Sequence, residues 1–207
     1  MRKTILSLLS VMLCATCFAQ GGWEVDMVRS INPQNPAASF TWRTLSNTAK
    51  PLSVAVPAGM LAVALLEKNT SLRNNALEMA AGLAITTVAT AGIKSTVNRE
   101  RPYQRYTDIY PDSFDDAKSF PSGHASVAFS TAASLALQYK KWYITVPAFA
   151  WAGAVGYSRL YMGQHYPTDI LGSALTGIGS AWAAHWLRGK LFGKKANPRT
   201  ADQRIVD

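Results

Sequence analysis

The sequence predicts an all-α, membrane-embedded helical bundle of about five transmembrane helices behind an N-terminal signal peptide. Three observations carry this. Apolar stretches too long for strands, and rich in Ala and Leu, recur through the chain. The period-2 alternation that would mark a sheet is not seen. Tyr139, Trp142, Tyr143, Trp182 and Trp186 bound the apolar runs, as amphipathic rings do between lipid and water.

Residues 1–19 place Arg2 and Lys3 before an apolar run that ends in small residues, the layout of a secretory signal cleaved near Ala19 or Gln20. Cys14 and Cys17 lie inside that run without a flanking strand–helix pattern, so their spacing predicts no redox pair. Residues 20–50 read as a periplasmic, interfacial segment. Asn32-Pro33 and Asn35-Pro36 break any long helix there, and Trp23, Val25, Met27, Phe40 and Trp42 give the segment surface to bury. From Pro51 the character changes. Apolar runs over 51–66, 76–97, 124–139, 143–157 and 170–187 make residues 51–190 the helical bundle. Ser173 with Gly177, and Ser180 with Ala184, stand at the spacing that lets helices approach closely in lipid. Residues 191–207 form a basic cytoplasmic tail.

The formal net charge of +9 suits nucleic acid, an anionic membrane or phosphorylated substrates. Lacking a basic–aromatic groove pattern, the chain predicts no nucleic-acid partner. With the signal cleaved outside, the connectors 67–75 and 140–142 and the tail lie in the cytoplasm and hold ten Lys and Arg, against nine outside. Lys94, Arg101 and Arg159 have a chemical reason to be where they are; without them the balance is ten to six, and eight of the twelve acids fall outside. This orientation puts three polar stretches, 94–102, 120–124 and 158–169, together on the periplasmic face of a bacterial inner membrane.

Those stretches carry the chemistry. Lys94 interrupts an apolar run, where an ionisable side chain is costly and marks a functional position. With Arg101 and Arg159 it offers the charges and planar donor forks that fit phosphate oxygens. Pro121-Ser122-Gly123-His124 precedes a helix, whose free N–H groups attract an anion; Gly123 lets backbone approach closely and Ser122 offers one more donor. A plain N-cap by Ser122 is the structural reading of the same residue. Pro167 starts the last helix, leaving His165 just outside it and Asp169 in its first turn. An Asp that accepts from one imidazole nitrogen leaves the other as a nucleophile, and His124 is the acid available to protonate a leaving oxygen. The remaining histidine, His185, reads as structural. Asp108, Asp112, Asp115 and Asp116 stand too irregularly for a metal site and read as part of a loop, 103–120, that forms a lid over the phosphate pocket.

The patterns K-x6-R-P, P-S-G-H and S-R-x5-H-x3-D, occurring in this order, resemble the type-2 phosphatidic acid phosphatase superfamily of membrane lipid phosphatases, class A acid phosphatases and vanadium haloperoxidases. The matching residues are Lys94, Arg101, Pro102, Pro121, Ser122, Gly123, His124, Ser158, Arg159, His165 and Asp169. The resemblance implies a helical bundle in which His165 becomes phosphorylated, Asp169 orients it and His124 protonates the leaving group. It also implies that Lys94, Arg101, Ser122, Gly123 and Arg159 hold the phosphoryl oxygens, with no metal or other cofactor. The uninterrupted apolar helix after Asp169 is similar to the membrane branch, which implies a phosphorylated lipid as substrate. Candidates are an isoprenyl diphosphate, phosphatidylglycerol phosphate, phosphatidic acid or lipid A. A soluble periplasmic acid phosphatase, a vanadium haloperoxidase and a non-catalytic binder of phosphate headgroups are the competing readings. The residues leave the particular lipid and the oligomeric state open.

Overall fold

In the computed structural model residues 22–192 are described, and every element among them is helical. The expected signal peptide and nearly all of the basic tail lie outside the described residues. The helices are α1 (Gly22–Ile31), a 3-10 turn (Pro36–Ala38), α2 (Phe40–Leu66), α3 (Thr70–Val97), a single turn α4 (Pro102–Arg105), α5 (Gly123–Tyr139), α6 (Trp142–Tyr161) and α7 (Pro167–Phe192).

Helix α2 starts at Phe40 and runs through Pro51 and Pro57, so it crosses the division at 50/51 that the sequence suggests. Proline lacks the N–H of the helical ladder and would ordinarily stop it. Here burial decides. Ser46 and Ala49 are fully buried, and Ala49 joins Ala128, Ala132, Ala152 and Val155 in a core cluster against which Leu45 packs. The Asn-Pro breaks do appear, between α1 and α2. Helix α3 opens on Asn69, whose side chain accepts from the Leu72 amide at 3.0 Å, and closes on Asn98 in the left-handed conformation at φ 52°. Lys140, at φ 51°, ends α5 in the same way.

Helix α5 is the hub, packed against α2, α3, α6 and α7. Its buried faces hold only small residues, Ala125, Ser126, Ala128, Ser130, Thr131, Ala132, Ala133 and Ser134. Small side chains let α7 come close. A Cβ on Gly177 would stand 2.3 Å from the Ser126 carbonyl oxygen and 2.8 Å from the Ser130 nitrogen. The small-residue spacing read from the sequence is thus a helix contact, with Ser173, Ser180, Ala181 and Ala184 also buried.

The outer surface is apolar. Leu52, Val54, Val63, Leu65, Leu66, Leu77, Val88, Val146, Leu171, Leu175 and Trp182 are all exposed, an accumulation of large apolar side chains of the kind that meets a membrane or a partner. Helix α2 and the stretch Thr70–Arg105 that begins with α3 are long and apolar enough to cross a membrane, with mean hydropathies of 1.7 and 1.5. At one end of the bundle buried Glu78 pairs with His185 at 2.9 Å and Arg188 at 2.7 Å, a structural place for that histidine. The three polar stretches gather elsewhere. Helix α1 packs there through Val25 and Val28 against Ile109 and Tyr166.

Candidate active site

The site is built from six segments: the last turn of α3, the connection 98–101, the loop 106–122, the start of α5, the end of α6 and the turn 162–169. Asp169 lies in the first turn of α7 and is fully buried, as is Gln164, while His165 is 2% exposed. The His165 Nδ1 stands 3.5 Å from Asp169 Oδ2 and makes no hydrogen bond. The oxygen it faces is already engaged, accepting from the Tyr166 amide at 2.8 Å and from the Ser119 hydroxyl. The other oxygen of Asp169 accepts from Arg99 Nη1 at 2.7 Å. Burial pushes the His165 imidazole down to about 3, against the opposing pull of Asp169, so the ring is neutral and one nitrogen carries a lone pair.

Around this pair stand the cations. Arg159, 7% exposed, donates from Nη1 to the Ser46 hydroxyl at 2.8 Å, and its Nε has no partner. Arg101, 3% exposed, is occupied on every nitrogen. Nε donates to the Ala117 carbonyl at 2.7 Å, Nη1 to Gln164 Oε1 at 2.5 Å, and Nη2 to Asp115 Oδ2 at 2.7 Å. Lys94 donates to the Lys118 carbonyl and lies within electrostatic reach of Arg101, Asp169, Asp115 and Arg159. His124 is half-buried in the first turn of α5, in reach of Arg159, Lys50, His165 and Arg101.

Ser122 occupies the N-cap position of α5 but does not cap it: its buried hydroxyl has no hydrogen-bond partner. Apart from its chain neighbours and its own helix backbone, nothing lies within 4 Å of where a Cβ on Gly123 would sit. The orphaned Ser122 hydroxyl and the start of α5 offer donors for an anion, and so does the orphaned Arg159 Nε–H, which lies within electrostatic reach of His124 and His165.

The loop 106–122 closes on these cations. Asp115 meets Arg101, Asp112 accepts from Gln164 Nε2 at 2.8 Å, and Asp108 meets Arg29 at 2.6 Å. The carboxyl of Asp115 is held below the usual range: partial burial opposes this, and the Ala117 amide, Arg101 and Lys94 outweigh it. Among the described residues no group of three His, Cys, Asp or Glu is arranged to hold a metal ion.

The structure brings all eight candidate residues into this region. Sequence reasoning missed Glu24, Ser46, Arg99, Ser119 and Gln164. Arg99 and Gln164 carried a faint signal, since they sit within the motif stretches; Glu24 carried none, its contact with Thr168 spanning 144 positions.

The profile of the PAP2 superfamily matches residues 75–192. The chain belongs to the PAP2 superfamily. Among its relatives, the lipid A 4'-phosphatase of Bacteroides thetaiotaomicron is 35% identical over 75 residues, 36% of this chain and 33% of that one. The undecaprenyl-diphosphatase BcrC of Bacillus subtilis is 35% identical over 80 residues, 38% of this chain and 39% of that one. These alignments span only about a third of the relatives' length. The crystal structure of a transmembrane PAP2-type phosphatidylglycerolphosphate phosphatase from Bacillus subtilis superposes with a TM-score of 0.68 at 21% identity. That match covers 92% of this chain and 98% of that one and shows that the two share a fold.

Proposed function

We propose that this PAP2 protein is a metal-independent membrane phosphatase that hydrolyses a lipid phosphate or diphosphate through a phosphohistidine. The observation that carries the reading is the buried, neutral His165 beside Asp169, facing a donor set with an unpartnered Ser122 hydroxyl and Arg159 N–H. Simple anion binding needs the donors but gains nothing from a desolvated His–Asp pair.

In the proposed reaction the free nitrogen of His165 attacks phosphorus and the bond to the leaving oxygen breaks. His124 supplies the proton that oxygen takes up. Asp169 stabilises the imidazolium, and Lys94, Arg101, Arg159, Ser122 and the Gly123 amide hold the phosphoryl oxygens as charge spreads over them. Water then attacks the phosphohistidine, passing its proton to His124 and releasing inorganic phosphate. The lipid kinship of the PAP2 relatives and the apolar outer surface support substrates held in a bilayer, of the isoprenyl diphosphate, phosphatidylglycerol phosphate, phosphatidic acid or lipid A type.

The same reading has five helices, α2, α3, α5, α6 and α7, crossing the bacterial inner membrane after a cleaved signal peptide. The bundle spans 51–190 with the added start of α2, the site faces the periplasm, and the tail is cytoplasmic. The test offers the purified protein a panel of lipid and soluble phosphates and measures phosphate release. Release from lipid substrates, lost in His165→Ala and inhibited by vanadate, is the expected result. Release that persists in His165→Ala would overturn the nucleophile.

A further inference from the structure

Arg99 lies within the first motif stretch, yet the phosphate chemistry makes no use of it. Its Nη1 donates to Asp169 Oδ1 at 2.7 Å and to the Thr168 hydroxyl at 2.8 Å, while Nη2 donates to Glu24 Oε2 at 2.7 Å. The guanidinium lies over the Tyr166 ring, 3.9 Å from its centroid. Glu24 comes from α1 and is 1% exposed. Its second oxygen accepts from the Thr168 amide at 3.2 Å and from the Thr168 hydroxyl. A row of alternating charges therefore runs from α1 into the centre: Glu24, Arg99, Asp169, then the His165 imidazole.

The arrangement has an electrostatic logic. Arg99 fixes one oxygen of Asp169, which turns the other toward His165 Nδ1. By itself it would also cancel the charge of Asp169, and the imidazole would face a neutral pair. Glu24 offsets that cation and returns the group to a net negative charge. An imidazole that attacks phosphorus becomes a cation, and a net negative neighbour in a dry site stabilises it where a neutral pair does not. A buried ion row is a poor way to gain stability alone.

We propose that Glu24 and Arg99 are positioning residues for the His165–Asp169 pair, Arg99 setting the orientation of Asp169 and Glu24 cancelling the charge Arg99 brings. This makes α1, which lies outside the matched family region, part of the working site. The proposal rests on the hydrolase reading given above.

Steady-state hydrolysis in detergent tests it, with vanadate affinity measured by equilibrium binding as a second readout. Glu24→Gln is expected to lower kcat about tenfold, one pKa unit of lost imidazolium stabilisation, with KM changed less than about threefold. The double variant Glu24→Gln/Arg99→Gln removes both charges, keeps an amide N–H at position 99 to hold the Asp169 oxygen that Arg99 holds, leaves Asp169 negative and is expected to recover most of that loss. Glu24→Asp keeps the charge and should hold kcat within about threefold even where Tm falls. A role as a mere tether for α1 predicts lower Tm with kcat unchanged, or losses that multiply in the double variant; either result overturns the proposal. If the wild type binds vanadate but hydrolyses no member of the panel, the substrate reading falls, and weaker vanadate binding by Glu24→Gln still supports the positioning role. Unaltered vanadate binding by Glu24→Gln in that case overturns it, and a wild type that neither hydrolyses nor binds vanadate overturns both.

Discussion

The Ser122 hydroxyl separates two uses of one residue. At an N-cap, serine ordinarily satisfies an amide of the first turn, and its loss destabilises the helix by about 1 kcal/mol. Here it caps nothing and is buried without a partner. Ser122→Ala should therefore leave Tm unchanged or slightly raised, while KM rises about tenfold through a lost bond to a charged oxygen. A fall in Tm with KM unchanged would return the residue to plain capping. His165 makes a second prediction, in pH. Its folded value of about 3 lies below the ordinary 6.5, so the folded state resists the proton that the unfolded chain takes up. The stability this group supports is present above 6.5 and drains away as pH falls from 6.5 toward 3. Thermal unfolding between pH 7 and 4 should show a steeper loss in the wild type than in His165→Gln; equal slopes would mean the imidazole is not desolvated. The candidate residues themselves were legible because charged and imidazole groups beside apolar helices have few other reasons to be there. Ser119 and Glu24 were not, since a serine in a loop and an acid in an amphipathic segment look the same whether or not they meet Asp169.

At the scale of elements, the helices were legible from apolar runs, and the errors fell where packing overrides local signals. Pro51 reads as a helix start, yet α2 passes through it because Ser46 and Ala49 are buried in the bundle. Helix α1 falls within the segment expected to be interfacial: it is amphipathic but only ten residues long, and the Asn-Pro pairs just after it dominate the local signal. The small-residue spacing of α7 did show in the sequence, and its use is close approach to α5. Gly177→Ala should cost about 1–3 kcal/mol, because backbone atoms of Ser126 and Ser130 cannot yield as a flexible side chain would. Gly179→Ala, where a Cβ meets nothing within 4 Å, is the control and should be neutral or stabilising by thermal unfolding. The loop 106–122 is the other element with a testable role. Its Asp115 carboxylate sits on the guanidinium that would hold a phosphoryl oxygen, so substrate and loop compete for Arg101. Since Asp115 is half exposed, the competition is modest: Asp115→Asn should lower KM about two- to fivefold with little change in kcat. A raised KM would show the loop to be a part of the binding surface instead of a cover for it.

For the whole molecule, the question is where the site stands relative to the bilayer. Helices α2, α3, α5, α6 and α7 alternate in direction along the chain, so the connections divide into two sets. The site lies at the end of the bundle with the connections 98–122 and 162–166, on those connections and the helix turns that flank them, and the turns at 67–69 and 140–141 belong to the other end. That second set carries Lys68, Lys140 and Lys141 within two very short turns, and Arg188 and Lys190 close the bundle at the same end. Short basic turns are the ones that stay in the cytoplasm during insertion. The site end is also basic, but its cations have ligands: Arg99 with Asp169, Arg101 with Asp115, Arg29 with Asp108. These partners give the cations of that end a place in the fold, so their presence there has a reason other than topology. Single cysteines introduced at Asp116 and at Lys140, in a chain with Cys14 and Cys17 changed to Ser, should thus react differently in intact cells. A maleimide that crosses the outer but not the inner membrane should label position 116 at once and position 140 only after lysis. The reverse pattern would place the site in the cytoplasm and would require a lipid phosphate presented on the inner leaflet.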